Sequence, residues 1–80
     1  MEDLEASVFN ITAMVDHYIK EISVKPRENT DGASFYFCEI DGHKISQLRK
    51  EGENWEQVWG TLQHHEIVEI GKQITYHQKV

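Results

Sequence analysis

The sequence predicts a two-layer α+β domain in which two helices cover one face of an antiparallel β-meander of two or three strands, in the order αβββα. Three observations predict it: an apolar stripe at helical spacing near the N-terminus, an aromatic segment followed by a hairpin signal, and a second helical pattern near the C-terminus. At 80 residues, the chain (1–80) is expected to form a single small domain.

The N-terminal helix is predicted over about residues 3–23, because apolar residues recur there three and four positions apart. The stripe consists of Leu4, Val8, Ile11, Val15, Tyr18, Ile19 and Ile22. Acidic residues near its start favour a helix through the macrodipole. Because Ile19 widens the stripe beyond a coiled-coil seam, we expect the helix to pack on the sheet, with its acidic side outward.

An exposed loop and an aromatic strand are predicted next. Residues 24–33 hold the only proline and contain Asn-Thr-Asp-Gly at positions 29–32, which is typical of a loop between the helix and the sheet. Residues 34–40 are dense in aromatic side chains and predict a strand. Phe35 and Phe37 are expected to contribute the sheet side of the core, together with one tryptophan face.

A hairpin is predicted at Asp41-Gly42, a dipeptide that suits a two-residue turn with positive φ at both positions. Residues 43–50 then return as the second strand. Ile45 and Leu48 differ by three positions, so they share a face only if a bulge intervenes.

The last elements are a short third strand and a C-terminal helix. Residues 55–59 are predicted as the strand, with Trp55 and Trp59 on one face and Gly60 ending it. The helix is predicted from about His64 to His77, because isoleucines recur three and four positions apart. A strand with Val68, Ile70 and Ile74 on one face is the alternative.

The charge balance disfavours nucleic acid as a partner. Fourteen acidic and eight basic residues give a net charge of −6, and residues 1–23 alone carry five acids and one base. A negative chain repels a phosphate backbone, whereas a basic protein surface is a suitable partner.

Cys38 is the only cysteine, so no internal disulfide can form, which favours a reducing cytoplasmic location. The start Met1-Glu2-Asp3 lacks the features of a signal peptide, and no apolar run is long enough to span a membrane. In an aromatic strand, Cys38 is expected to be a small buried hydrophobe rather than a nucleophile activated by His43.

The histidines allow a metal site to be considered. His65 and Glu69 would lie one helical turn apart beside His64, but His77 would be about 18 Å further along the axis. We therefore expect titrating surface histidines, with no metal and no cofactor.

A nucleic-acid platform on the sheet is a further candidate, formed by basic residues with aromatic neighbours. The residues concerned are Lys25, Arg27, Lys44, Arg49, Lys50, Tyr36, Trp55 and Trp59. Acidic residues lie close to most of these bases, so a solvated strand face is expected instead.

No catalytic, cofactor or phosphate-binding signature is present in the sequence. We therefore expect a small acidic intracellular protein-interaction module (an adaptor, an inhibitor or an immunity-type partner) rather than an enzyme, by analogy at the level of the fold. Glu5, Asp16 and Glu21, on the acidic side of the first helix, are expected to contact the partner. Trp55 and Trp59 are the other expected contacts.

Three alternatives remain at this point. The first is a homodimer or larger homo-oligomer formed through the first helix. The second is single-stranded nucleic-acid binding on the sheet face, and the third is a metal-dependent enzyme that uses His64, His65 and Glu69.

Overall fold

The computed structural model describes residues 8–28 and 34–79, which form a five-stranded antiparallel sheet with one α-helix packed on it. The strands lie in the sheet in chain order. The elements are β1 (Phe9–Val15), β2 (Tyr18–Glu28), β3 (Ser34–Ile40), β4 (His43–Glu51), β5 (Asn54–Gly60) and α1 (His64–Lys79). The predicted order αβββα is therefore wrong, since the described residues contain five strands and no N-terminal helix.

The residues predicted to form the first helix form the β1–β2 hairpin instead. Ile11 lies opposite Ile22, and the chain turns at Asp16 and His17. Both turn residues have positive φ, 59° and 72° respectively. Such a turn matches the twist of paired strands, and Asp and His are among the non-glycine residues that adopt this conformation most readily. Residues 3–7 of the predicted helix lie outside the described part of the chain.

The helix prediction was wrong because the apolar spacing of the N-terminal residues is compatible with both a helix and a hairpin. Ile11 and Ile22 are eleven positions apart, which is about three helical turns and so places them on one helix face. The same two residues are direct cross-strand neighbours in the hairpin, where both are buried. Tyr18 and Ile19, which the helix would have buried, are exposed beside the turn. The alternative of a homo-oligomer formed through the predicted N-terminal helix loses its basis, because the described residues contain no such helix.

The loop predicted over residues 24–33 starts later than expected. Residues 24–28 belong to β2 and pair with β3, and residues 29–33 lie outside the described part of the chain. Among the described residues, Val24 is the last β2 residue in register with β1, and Pro26 lies beyond it. A proline lacks an N–H and is compatible with a strand where that side needs no ladder hydrogen bond.

The β3–β4 hairpin confirms the predicted turn. Asp41 and Gly42 have φ values of 53° and 80°. The register shifts after Cys38, so Ile45 is an extra residue opposite β3. This bulge allows Ile45 and Leu48, three positions apart, both to contact the core.

The core lies between α1 and one face of the sheet. The predicted C-terminal helix is confirmed and begins at His64. Its isoleucines Ile67, Ile70 and Ile74 are buried against the strands. The other buried apolar residues are Ile11, Ala13, Ile22, Val24, Tyr36, Cys38 and Leu48.

The predicted placement of the β3 phenylalanines is wrong. Tyr36 and Cys38 point toward α1, so Phe35 and Phe37 lie on the opposite face of the sheet. Successive side chains of a strand alternate between faces, and this strand is apolar on both, so its pattern alone could not choose the buried side. Burial confirms Cys38 as a small hydrophobe, and desolvation raises the pKa of its thiol to about 12.

The N-terminus of α1 is joined to the β1–β2 turn by the carboxylate of Glu66. One oxygen accepts a hydrogen bond from the Gln63 N–H at 2.8 Å, as in a capping box. The other accepts a hydrogen bond from the Asp16 N–H at 2.9 Å. These bonds, the Asp16 bond foremost, lower the pKa of Glu66 below its ordinary value of 4.5, and the nearby His65 and His17 contribute.

Because the folded protein favours the charged form of Glu66, its contribution to stability is complete above pH 4.5 and is lost as the pH falls through the lowered pKa. We expect Glu66→Gln to reduce the free energy of unfolding by about 1–2 kcal/mol at neutral pH, since the two bonds go to a charged acceptor. Urea unfolding at pH 7 and at about pH 3 measures this. The difference from the parent protein should shrink at the lower pH, as Glu66 becomes protonated. Glu53→Gln, in the exposed β4–β5 turn, is the control, and an equal loss at both pH values would contradict the assignment.

Candidate functional site

The face of the sheet opposite α1 carries aromatic rings and cationic side chains in neighbouring positions. The register places Lys25, Phe37, Gln47 and Trp59 in one cross-strand row. The next row contains Arg27, Phe35, Arg49 and Glu56. We call Lys25, Arg27, Phe35, Phe37, Lys44, Arg49 and Trp59 the outer-face cluster.

Lys44 lies between two rings of this cluster. Its Nζ is 4.7 Å from the centroid of the Phe37 ring and 4.6 Å from that of the Trp59 ring. It also donates a hydrogen bond to Gln47 Oε1 at 3.2 Å. The Arg27 guanidinium lies 5.9 Å from the Phe37 centroid. Cation–π attraction at these distances orders the rings and the ammonium group into one surface.

A β-bulge in β5 places Trp59 on this surface. Gln47 is opposite Trp59 while Leu48 is opposite Gln57, so Val58 is an extra residue. The bulge reverses the alternation: Trp55 points toward α1, and Trp59 points away from it with 51% of its surface exposed. The prediction that both tryptophans share one face is therefore wrong.

Hydrogen bonds of Ser46 and Gln57 on the α1 side of the sheet stabilise the bulge in β5. The Ser46 hydroxyl donates to Gln57 Oε1 at 2.7 Å and lies 3.2 Å from the Trp59 carbonyl oxygen. Gln57 Oε1 also accepts the Leu62 N–H at 3.0 Å, and Gln57 Nε2 donates to the Leu62 carbonyl at 3.2 Å. The end of β5 is thus fixed both to β4 and to the segment that leads into α1.

The outer-face cluster is partly neutralised by carboxylates. Lys25 Nζ lies 3.2 Å from Glu39 Oε2, and Arg49 lies 3.0 Å from Glu51 and 3.9 Å from Glu56. Lys44 differs, because its contacts among the described residues are with rings and an amide. It is the cation of this surface best placed to meet a partner's carboxylate.

The residues predicted to contact a partner do not form one site. Trp59 belongs to the outer-face cluster, whereas Trp55 packs under α1 on the other side of the sheet. Glu21 is exposed on the outer face of β2 but pairs with Thr12 of β1, away from Trp59. Asp16 is at the β1–β2 turn, and Glu5 lies outside the described part of the chain.

Sequence reasoning missed Phe35 and Phe37 as surface residues, and it considered Lys44 only as part of a nucleic-acid platform. Because the phenylalanines were assigned to the core, no aromatic surface was predicted on the opposite face of the sheet, where they lie. A usable signal was present three strands away from Trp59: Lys25 and Arg27 are two positions apart, so in a strand both would lie on the same face.

The metal and nucleophile candidates gain no support from the geometry. Among residues 8–28 and 34–79, no group of three or more His, Cys, Asp or Glu side chains could hold a metal ion. His65 and Glu69 line a small groove beside Met14 and Ile19. The raised pKa of the buried Cys38 thiol keeps it protonated at neutral pH.

No protein-family model, curated protein or solved structure matches the chain. Within the described residues, α1 falls short of the length and hydrophobicity that would let it cross a membrane. Evidence on function therefore comes from the surfaces of the chain itself.

Proposed function

We propose that the chain is a small protein-binding module that acts by association rather than catalysis, with the outer-face cluster as its contact surface. The observation that carries the proposal is the pair of rings, Phe37 and Trp59, ordered on the surface around Lys44. A half-exposed tryptophan beside other rings is the kind of residue that dominates binding energy when a partner covers it.

The chemistry of the cluster suggests what the partner presents. Its rings suit an apolar or aromatic side chain, and Lys44 suits a carboxylate next to it. A basic partner, expected from the overall charge, stays a prediction, but the acidic helix face that was expected to contact it is absent from the described residues. We therefore propose an acidic partner surface or peptide with an apolar anchor.

Protein is favoured over single-stranded nucleic acid for two reasons. Lys25 and Arg49 already have carboxylate partners, so binding a phosphate backbone would require breaking ion pairs. Lys44 occupies the space over the rings that a stacked base would need. Mixed charge around an apolar centre is typical of protein interfaces.

The proposed location is the cytoplasm. The lone cysteine, Cys38, is a buried free thiol, which suits a reducing compartment.

Selection of displayed peptides on the immobilised chain tests the proposal. We expect the selected peptides to combine Asp or Glu with an aromatic or large aliphatic residue. Trp59→Ala should weaken the best peptide about tenfold or more, because it removes the central ring. Lys44→Gln should weaken it about threefold, since one partly exposed charge pair is lost.

Tyr18→Ala and Lys20→Gln are the matched controls, because both side chains are exposed at the β1–β2 hairpin away from the cluster. Equal weakening by the control variants would rule out the outer face as the site. Tighter binding of an oligothymidylate than of any peptide, with a steep dependence on salt, would replace the proposal with nucleic-acid binding.

A further inference from the structure

A cleft of about 830 Å³ lies between α1 and the end of the sheet formed by β4 and β5, separate from the outer-face cluster. Trp55 lines it from the sheet, and Val68 and Tyr76 line it from the helix. Its size is in the range that holds small organic ligands.

Gly71 shapes this cleft by letting α1 approach the indole of Trp55. A Cβ at this position would lie 2.8 Å from Trp55 Nε1 and 2.9 Å from Cδ1 and Cε2. Trp55 is also held by Tyr36, with ring centroids 5.2 Å apart. The indole is therefore a fixed wall, and a ligand that packs on it need not order it first.

Two cations, Lys50 and Lys72, line the cleft. No ion pair is present between Lys50 or Lys72 and any carboxylate of the described residues. Lys50 Nζ lies 5.5 Å from the ring centroid of Trp55. Glu53 is the single carboxylate among the lining residues. In a chain with a net charge of −6, two ammonium groups beside aromatic walls mark a local preference for an anion.

We propose that this cleft binds a small aromatic carboxylate. The ring of the ligand packs between Trp55 and Tyr76, where offset or edge contacts between aromatic groups are favourable. The carboxylate is placed between Lys50 and Lys72. The apolar surface of Val68, which is 40% exposed, is covered in the complex.

Titration of the isotope-labelled full chain with 2-naphthoate tests this proposal, with 2-naphthamide as the uncharged probe of the same shape. We expect naphthoate to shift the Trp55 indole N–H and the Gly71 amide signals and to leave the Trp59 indole signal in place. The amide should bind about fivefold more weakly, because it lacks the charge. The two indole signals distinguish this cleft from the outer face, so each proposal can fail without the other.

Lys50→Gln and Lys72→Gln should each weaken naphthoate about threefold and leave naphthamide unchanged, since each removes one partly exposed charge. Lys20→Gln, at the opposite hairpin, should change neither. Equal affinity for the two probes, a response of Trp59 in place of Trp55, or no response at millimolar naphthoate would each overturn the proposal.

Discussion

Replacing Ile22 with alanine is expected to lower the free energy of unfolding by about 2–5 kcal/mol, while replacing Ile19 should cost less than about 0.5 kcal/mol. Ile22 is fully buried opposite Ile11, and its truncation leaves a cavity between the sheet and α1. Ile19 is 70% exposed beside the β1–β2 turn and loses few contacts.

This pair of variants separates the two structures that the N-terminal pattern allows. On an N-terminal helix, Ile19 and Ile22 would lie on the same apolar stripe and both would be costly to truncate. In the hairpin only one of them is in the core. Denaturant unfolding followed by circular dichroism measures both values, and similar losses for the two variants would contradict the hairpin.

Replacing Gly60 with alanine is expected to cost about 3 kcal/mol or more. Its φ of 122° is rarely adopted by residues with a side chain. A Cβ there would lie 2.6 Å from the Ile45 carbonyl oxygen and 2.7 Å from Gln57 Oε1, so the strand would have to move. Strain and steric overlap both add to the cost.

Gly52→Ala is the matched control for Gly60→Ala. Gly52 also has a positive φ, 63°, but a Cβ there would meet no atom within 4 Å. We expect it to cost about 1 kcal/mol, from the backbone conformation alone. Thermal and denaturant unfolding of both variants gives the comparison, and equal losses would show that the close approach at Gly60 is unimportant.

Replacing Gly60 is also expected to disturb the proposed contact surface. It follows the bulge at Val58 that places Trp59 on the outer face. A shift of this strand end would disturb the Trp59 ring and its contact with Lys44. We therefore expect any folded fraction of Gly60→Ala to show a displaced Trp59 indole resonance.

The parts of the fold that sequence reasoning predicted are those specified locally. Asp41-Gly42 determines its own turn, because few other residue pairs accept positive φ twice in succession. The C-terminal helix follows from one apolar stripe, and Gly71 within it is explained by its contact with Trp55.

The β1–β2 hairpin and the outer-face cluster could not be predicted from local sequence in the same way. The spacing of Ile11 and Ile22 satisfies a helix and a hairpin equally, and a turn at Asp16-His17 lacks the glycine that usually marks one. The positions of Phe37 and Trp59 depended on which face of the sheet α1 covers and on a bulge.

By itself, the sequence determined the turn at Asp41-Gly42 and the helix that begins at His64, because both depend on neighbours along the chain. Only the tertiary structure decided that β1 and β2 form in place of the predicted helix and that Trp55 and Trp59 lie on opposite faces. The physical reason is that an apolar pattern states how much surface must be buried. The pattern does not indicate which element covers that surface. This is decided when α1 packs on one face of the sheet and leaves the other face exposed.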